Sequence, residues 1–120
     1  VNQKGQFVGC AIAPGVATSL MALSRATAQL PHIAIEAPQS VIGANTVDSM
    51  QSGIVFGTAA MIDGMITRME EELGQPCQVL MTGGLSSEIS RHVRHSIIPD
   101  KDLVLEGLYL LYLKNVEKTR

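Results

Sequence analysis

The 120-residue chain has no tryptophan, only two phenylalanines, two tyrosines and two cysteines, and just 17% of its residues are charged. So few aromatic rings argue against a stacking platform for single-stranded nucleic acid. A net charge of -2 is too small for electrostatic capture of nucleic acid or of an acidic membrane surface. No apolar run reaches the roughly 20 residues of a membrane-spanning helix, and no charged-then-apolar segment opens the chain. The cysteines lack CxxC spacing, which excludes a cysteine zinc site. Cys10 and Cys77 lie in apolar, strand-like runs. Two buried free thiols in a reducing compartment are expected, with a Cys10–Cys77 disulfide as the alternative. The expected location is cytoplasmic, without nucleic-acid or membrane partners.

Hydrophobic residues, by contrast, make up 46% of the chain, too many for a disordered segment. A chain of this length suits one domain that buries about two-thirds of its unfolded surface. Asn2–Gly5 reads as a turn and Phe7–Pro14 as the strand leaving it, covered on both faces because it has no polar side. A hairpin needs a strand entering the turn, yet only Val1 precedes it. The expectation is a chain cut within a sheet. Val16, Leu20, Leu23, Thr27 and Leu30 recur at spacings of three and four, which predicts an amphipathic helix ended by Pro31. His32–Ala37 is a short extended run closed by Pro38.

The longest helix is predicted from Asn45 or Thr46, either of which can cap it, to a stop at Gly74 and Pro76. Along it Ser49, Gly53, Gly57, Ala60 and Gly64 form a stripe of small residues. Each internal glycine costs about 1 kcal/mol relative to alanine, so the stripe asks for a close contact. Met50, Ile54, Met61, Met65 and Met69 form a second row, facing the core or another subunit. Cys77–Met81 is read as a buried strand, Leu85 to about Val93 as a short helix, and Leu103–Asn115 as a helix covered on most sides. The fold class is α/β, with helices on a sheet that is incomplete at its N-terminal side.

Candidate chemistry centres on MTGGLSSE, where Gly83 and Gly84 bare the main chain at the end of a strand. A ligand can approach there, and N–H groups of the following helix favour polar ligand atoms. Taken alone, the pair reads first as a tight strand-to-helix turn with no ligand, because GxGxxG and P-loop spacings are absent. Pro14-Gly15 is a second strand-end corner. Thr46 can either cap its helix or bind a ligand hydroxyl or amide. His92 and His95, interleaved with Arg91 and Arg94, read as a solvated helix face, and His32 adds no metal spacing. Ser86 and Ser87 read as helix-capping residues without a base. Asp63 can reach a nucleotide ribose or, more simply, make a surface or interhelical hydrogen bond. No catalytic acid and base pair can be named.

The ordered set VGCAIAPG, TAQLP, VIGANTVDSMQSGIVFG, VLMTGGLSSEI and LVLEGLYLLYLKN resembles the C-terminal half of type III pantothenate kinases, over residues 1–120. The resemblance implies an actin-like ATPase (ribonuclease H-like) domain of the sugar and acetate kinase superfamily. It further implies transfer of the ATP γ-phosphoryl group to the hydroxyl of pantothenate, giving 4'-phosphopantothenate on the way to coenzyme A. By the same resemblance Thr82, Gly83 and Gly84 bind the adenosine side of ATP, Thr46 contacts pantothenate, and Pro14-Gly15 lies near the cleft. Mg²⁺, a monovalent cation (K⁺ or NH₄⁺) and a homodimer are implied as well. The family's DxGNT loop, its GxDR motif with the catalytic Asp, and its DxGT loop are missing from these 120 residues. The expectation is therefore that the N-terminal domain and first strands of this one are absent and that the chain is inactive alone. A non-catalytic, Bvg accessory factor-like regulator, a dimerisation module and a kinase of another small alcohol remain as alternatives.

Overall fold

A computed structural model describes residues 1–26 and 30–118. The elements run α1 Val16–Ala26, α2 Thr46–Leu73, β1 Val79–Met81, α3 Ser86–Ile89, a 3-10 turn Ser90–His92, β2 Ile97–Pro99 and α4 Leu103–Lys118. This is a mixed α/β arrangement built along α2. The Thr27 position of the α1 pattern lies outside the described residues.

The ends of α2 follow from local chemistry. Asn45 has extended backbone angles, and its side-chain oxygen accepts from the Asp48 N–H at 2.9 Å while its amide donates to Asp48 Oδ2 at 2.8 Å. That pair satisfies one of the free N–H groups of the first turn and puts a carboxylate at the positive end of the helix. Gly74 closes the other end with φ of 69°, and the Gln75 N–H donates back to the Glu70 carbonyl at 3.2 Å. A left-handed residue followed by this long-reach bond is how glycine stops a helix.

The core is small. Val55, Ala59 and Ile89 are buried together, with Val16, Ile35, Ala37, Ile62 and Val93 packed around them. Ile33, Ile35 and Ala37 are half-buried while His32, Ala34 and Glu36 are exposed, an alternation that fits the extended run expected there. Gln51 Nε2 donates to the Ala34 carbonyl and Ser52 Oγ to the Val41 carbonyl, tying this segment to α2.

The sheet departs from expectation. β1 and β2 pair in parallel with Val79 opposite Ile97, Leu80 opposite Ile98 and Met81 opposite Pro99. β2 was not foreseen, and β1 starts at Val79 instead of Cys77, with Leu80 exposed. Asn2–Gly5 does turn, closed by the Gly5 N–H on the Asn2 carbonyl at 3.0 Å with Gly5 at φ of 71°. Phe7–Ala13, however, joins no ladder among the described residues, and Ile12 is 95% exposed. An apolar run needs a hydrogen-bonding neighbour to become a strand, and no described segment pairs with this one; what lies near Val8–Cys10 is the end of α2 at Met69, Glu72 and Leu73. Cys10, in this run, and Cys77, two residues before β1, are both free and exposed, neither buried nor joined in a disulfide.

Two helix faces expected to be covered are open. Leu105, Leu108, Leu110 and Leu111 of α4 are all exposed, so the described residues do not cover that face of the helix. Of the methionine row, Met50 and Ile54 are buried but Met61 and Met69 are exposed. Among the described residues no helix is long and apolar enough to cross a membrane.

Candidate functional site

The two glycine corners converge. Gly15, at the start of α1, and Gly83-Gly84, after β1, line one cavity of about 440 Å³ whose floor includes Thr58 and Ile62 of α2. A Cβ built on Gly15, Gly83 or Gly84 would meet no atom within 4 Å. Thr82–Leu85 are exposed. The corner therefore presents backbone to open space, which a tight turn made only for packing does not need.

Gly83 itself requires glycine, because its φ is 109°. The turn is closed by the Ser86 N–H and Ser86 Oγ, which both donate to the Gly83 carbonyl, at 3.1 and 2.6 Å. α3 is only four residues long and its first N–H is already used in this way, so helix N–H groups are not the main feature of the corner. Ser86 thus closes the turn and does not cap α3, whose N-cap position is Leu85 with no side-chain capping bond, so the helix-capping role expected of its hydroxyl is not the one it takes.

A second cavity of about 420 Å³ lies against the same glycine pair, lined by Ser86, Ser87, Lys101 and Val104. Lys101 is the one basic residue among those lining this cavity. It lies in the short segment joining β2 to α4, and sequence reasoning missed it because that segment carries no recognisable motif.

Thr46 is placed elsewhere. It lines a cavity of about 580 Å³ with Leu23, Gly43, Asn45, Ser49 and Met50, and that cavity shares no lining residue with the glycine corner. Asn45 does the capping, which leaves the Thr46 hydroxyl free of that task. Twelve residues of α2 separate Thr46 from Thr58, about 18 Å along the axis. One rigid helix thus carries residues of both cavities.

The histidines do not form a solvated face. His92 stands edge-on to Phe56 with ring centroids 5.0 Å apart, and His95 Nδ1 lies 2.6 Å from Asp63 Oδ1. Asp63 also accepts from the backbone N–H groups of Arg94 and His95. Burial opposes ionisation of Asp63, but these donors, the His95 ring first, outweigh it and hold the carboxyl below its usual range. With both oxygens engaged, Asp63 makes the structural bond of the two roles considered for it. Among the described residues no group of three or more His, Cys, Asp or Glu side chains could hold a metal ion.

Comparison with known proteins identifies a family. The family model described as type III pantothenate kinase matches residues 1–68. A type III pantothenate kinase of Acholeplasma laidlawii is 46% identical over 115 residues, covering 95% of this chain and 47% of the relative. Those of Rhizorhabdus wittichii and Dictyoglomus turgidum are 46% and 44% identical, over 93% and 97% of this chain and 44% and 46% of their own lengths. The chain thus spans about half the length of the curated relatives it matches. With the family model covering more than half of the residues, and relatives aligned through both the Thr46 and Gly83-Gly84 regions, the chain belongs to the type III pantothenate kinase family.

Proposed function

We propose that this chain supplies one wall of the active cleft of a type III pantothenate kinase, which transfers the γ-phosphoryl group of ATP to the hydroxyl of pantothenate. The observation that carries this reading is the convergence of Gly15 and Gly83-Gly84 on one open cavity in a chain of this family. In it, the bare backbone of Thr82–Gly84 faces the adenosine side of ATP, and Lys101 contributes positive charge from the neighbouring cavity. Thr46 contacts pantothenate from its separate cavity. The domain is of the actin-like ATPase type, and the uncovered apolar faces of α4 and Phe7–Ala13 fit contact with residues outside these 120.

Phosphoryl transfer depends on positioned charge and metal around the transferring group. The described residues offer no group of three metal-ligating side chains, and the sequence contains no DxGNT, GxDR or DxGT motif. Mg²⁺ and a monovalent cation accordingly have no assigned holder here, and no step is assigned to them. The chain's own contribution is to bind and orient. It is inactive alone in this reading.

A homodimer belongs to the same proposal. Ser49, Gly53, Gly57, Ala60 and Gly64 are all exposed, and a Cβ on any of the three glycines would meet nothing within 4 Å. Three mid-helix glycines left bare by their own chain suit close approach of a second copy. Free, exposed cysteines suit the cytoplasm.

The test is ADP release and 4'-phosphopantothenate formation by the whole protein that carries this chain, given ATP and pantothenate. Release that depends on pantothenate is the expected result. Binding of both ligands without turnover would favour the regulatory alternative, and indifference to both would favour a dimerisation module.

A further inference from the structure

Asp63 lies within α2, and its carboxylate closes onto the segment that enters β2. The Arg94 N–H is 3.0 Å from Oδ1 and 2.9 Å from Oδ2, while the His95 N–H and Nδ1 are 3.0 and 2.6 Å from Oδ1. One carboxylate thus holds both peptide N–H groups and the ring of a single dipeptide. Charged acceptors make stronger hydrogen bonds than neutral ones, so the dipeptide is pinned to the helix.

β2 begins two residues later, at Ile97. Each strand of the sheet has three residues, and a ladder so short is marginal by itself. What fixes its ends therefore fixes its place. At the far end the Asp100 N–H donates to the Met81 carbonyl at 2.9 Å, and Met81 is the residue before Thr82. At the near end the fixed point is Asp63.

We propose that Asp63 is a positioning residue for the Thr82–Gly84 corner. Its carboxylate fastens Arg94-His95 to α2 and, through β2 and then β1, sets how far the corner's backbone stands from Thr58 and Ile62 across the cavity. The corner's use for a nucleotide rests on the function proposed above; the mechanical coupling does not.

Amide hydrogen exchange in the whole protein tests the coupling directly. The N–H groups to follow are those of Asp100, bonded to Met81, and Ser86, bonded to Gly83. In Asp63→Ala these exchange about tenfold faster or more, while α2 amides from Ile54 to Ala59 stay within about twofold. Asp63→Asn keeps an acceptor oxygen and gives an intermediate rise of about threefold; it carries the test should the alanine variant not fold. Val55→Ala, which opens the core without touching the latch, accelerates the α2 amides at least as much as the corner. Corner exchange unchanged in both Asp63 variants, or rising only in step with α2, overturns the proposal. ATP titration of the unmodified protein is scored separately: failure to bind sinks the functional reading and leaves the exchange result standing.

Discussion

Ser49 occupies the space that a side chain on Gly43 would need. A Cβ at Gly43 would fall 2.4 Å from the Ser49 backbone nitrogen and 2.5 Å from its Cα. Ser49 Oγ donates to the Asn45 carbonyl at 2.7 Å, so the first turn of α2 cannot easily step aside. Gly43→Ala should cost on the order of 1–3 kcal/mol, the usual range for overpacking. Gly43 and Thr46 line the same cavity, so the variant should also raise the pantothenate KM more than the ATP KM. An unchanged melting temperature would contradict the packing that this rests on.

The two glycines of the corner separate backbone strain from ligand approach. Gly83 has a positive φ and Gly84 does not, and neither has a neighbour within 4 Å of a built Cβ. Gly83→Ala should lose stability, on the order of 1–3 kcal/mol for a strained residue. Gly84→Ala should leave the melting temperature nearly unchanged and weaken ATP binding severalfold, because only a bound ligand would meet the new methyl group. Calorimetric titration with ATP checks this. Wild-type affinity in Gly84→Ala would mean that nothing lies against that backbone.

Asn45 and Thr46 are adjacent and should behave oppositely. Asn45 caps α2 through the Asp48 N–H, so Asn45→Ala should cost about 1 kcal/mol of stability. Thr46→Ala removes a hydroxyl from an exposed position and should hardly alter unfolding. Its effect should appear as a raised pantothenate KM with the ATP KM kept. Urea melts and initial-rate kinetics on the two variants distinguish capping from substrate contact.

The exposed stripe on α2 gives a prediction about assembly. Replacing a mid-helix glycine usually favours the helix by several tenths of a kcal/mol up to about 1 kcal/mol. Because Gly57 faces open space within the chain, Gly57→Leu should not harm the fold. It should nonetheless disrupt a dimer that packs on this face. Sedimentation velocity should show a dimer for the unmodified protein and a monomer for the variant, with equal helicity by circular dichroism. A dimer that survives Gly57→Leu intact removes this stripe from the interface.

How much of this was legible in the sequence depends on whether the cause was local. α2 could be bounded closely because Asn45, Asp48 and Gly74 act within a turn of the helix ends. The turn at Asn2–Gly5 and the short helix after Gly84 were readable for the same reason. β2 was not, since three residues show no period and Pro99 argues against a strand. Phe7–Ala13 and α4 were misread in one respect: an apolar run says that a segment avoids water, not that this chain provides the cover. The convergence of Gly15 with Gly83-Gly84 was suggested only by family resemblance. The grip of Asp63 on His95 spans 32 positions, and no neighbouring residue announces it.

That grip has a pH dependence whose sign can be worked out. An unfolded Asp carboxyl titrates near about 3.9, and in the fold Asp63 lies lower; burial works against this, but the His95 ring and two backbone N–H donors prevail. A depressed carboxylate stabilises the fold fully above its unfolded pKa and loses that contribution as the pH falls through its folded one. The stability gap between the unmodified protein and Asp63→Asn should therefore be fully developed at about pH 5. Below about pH 4 it should narrow as protonation makes the carboxyl resemble the amide. Urea melts across this window, with the same fold verified by circular dichroism at each pH, measure the gap. A gap that stays constant down to pH 2 would mean that the ionised form of Asp63 contributes nothing beyond what a neutral acceptor supplies, and the latch would then be an ordinary hydrogen-bonded turn.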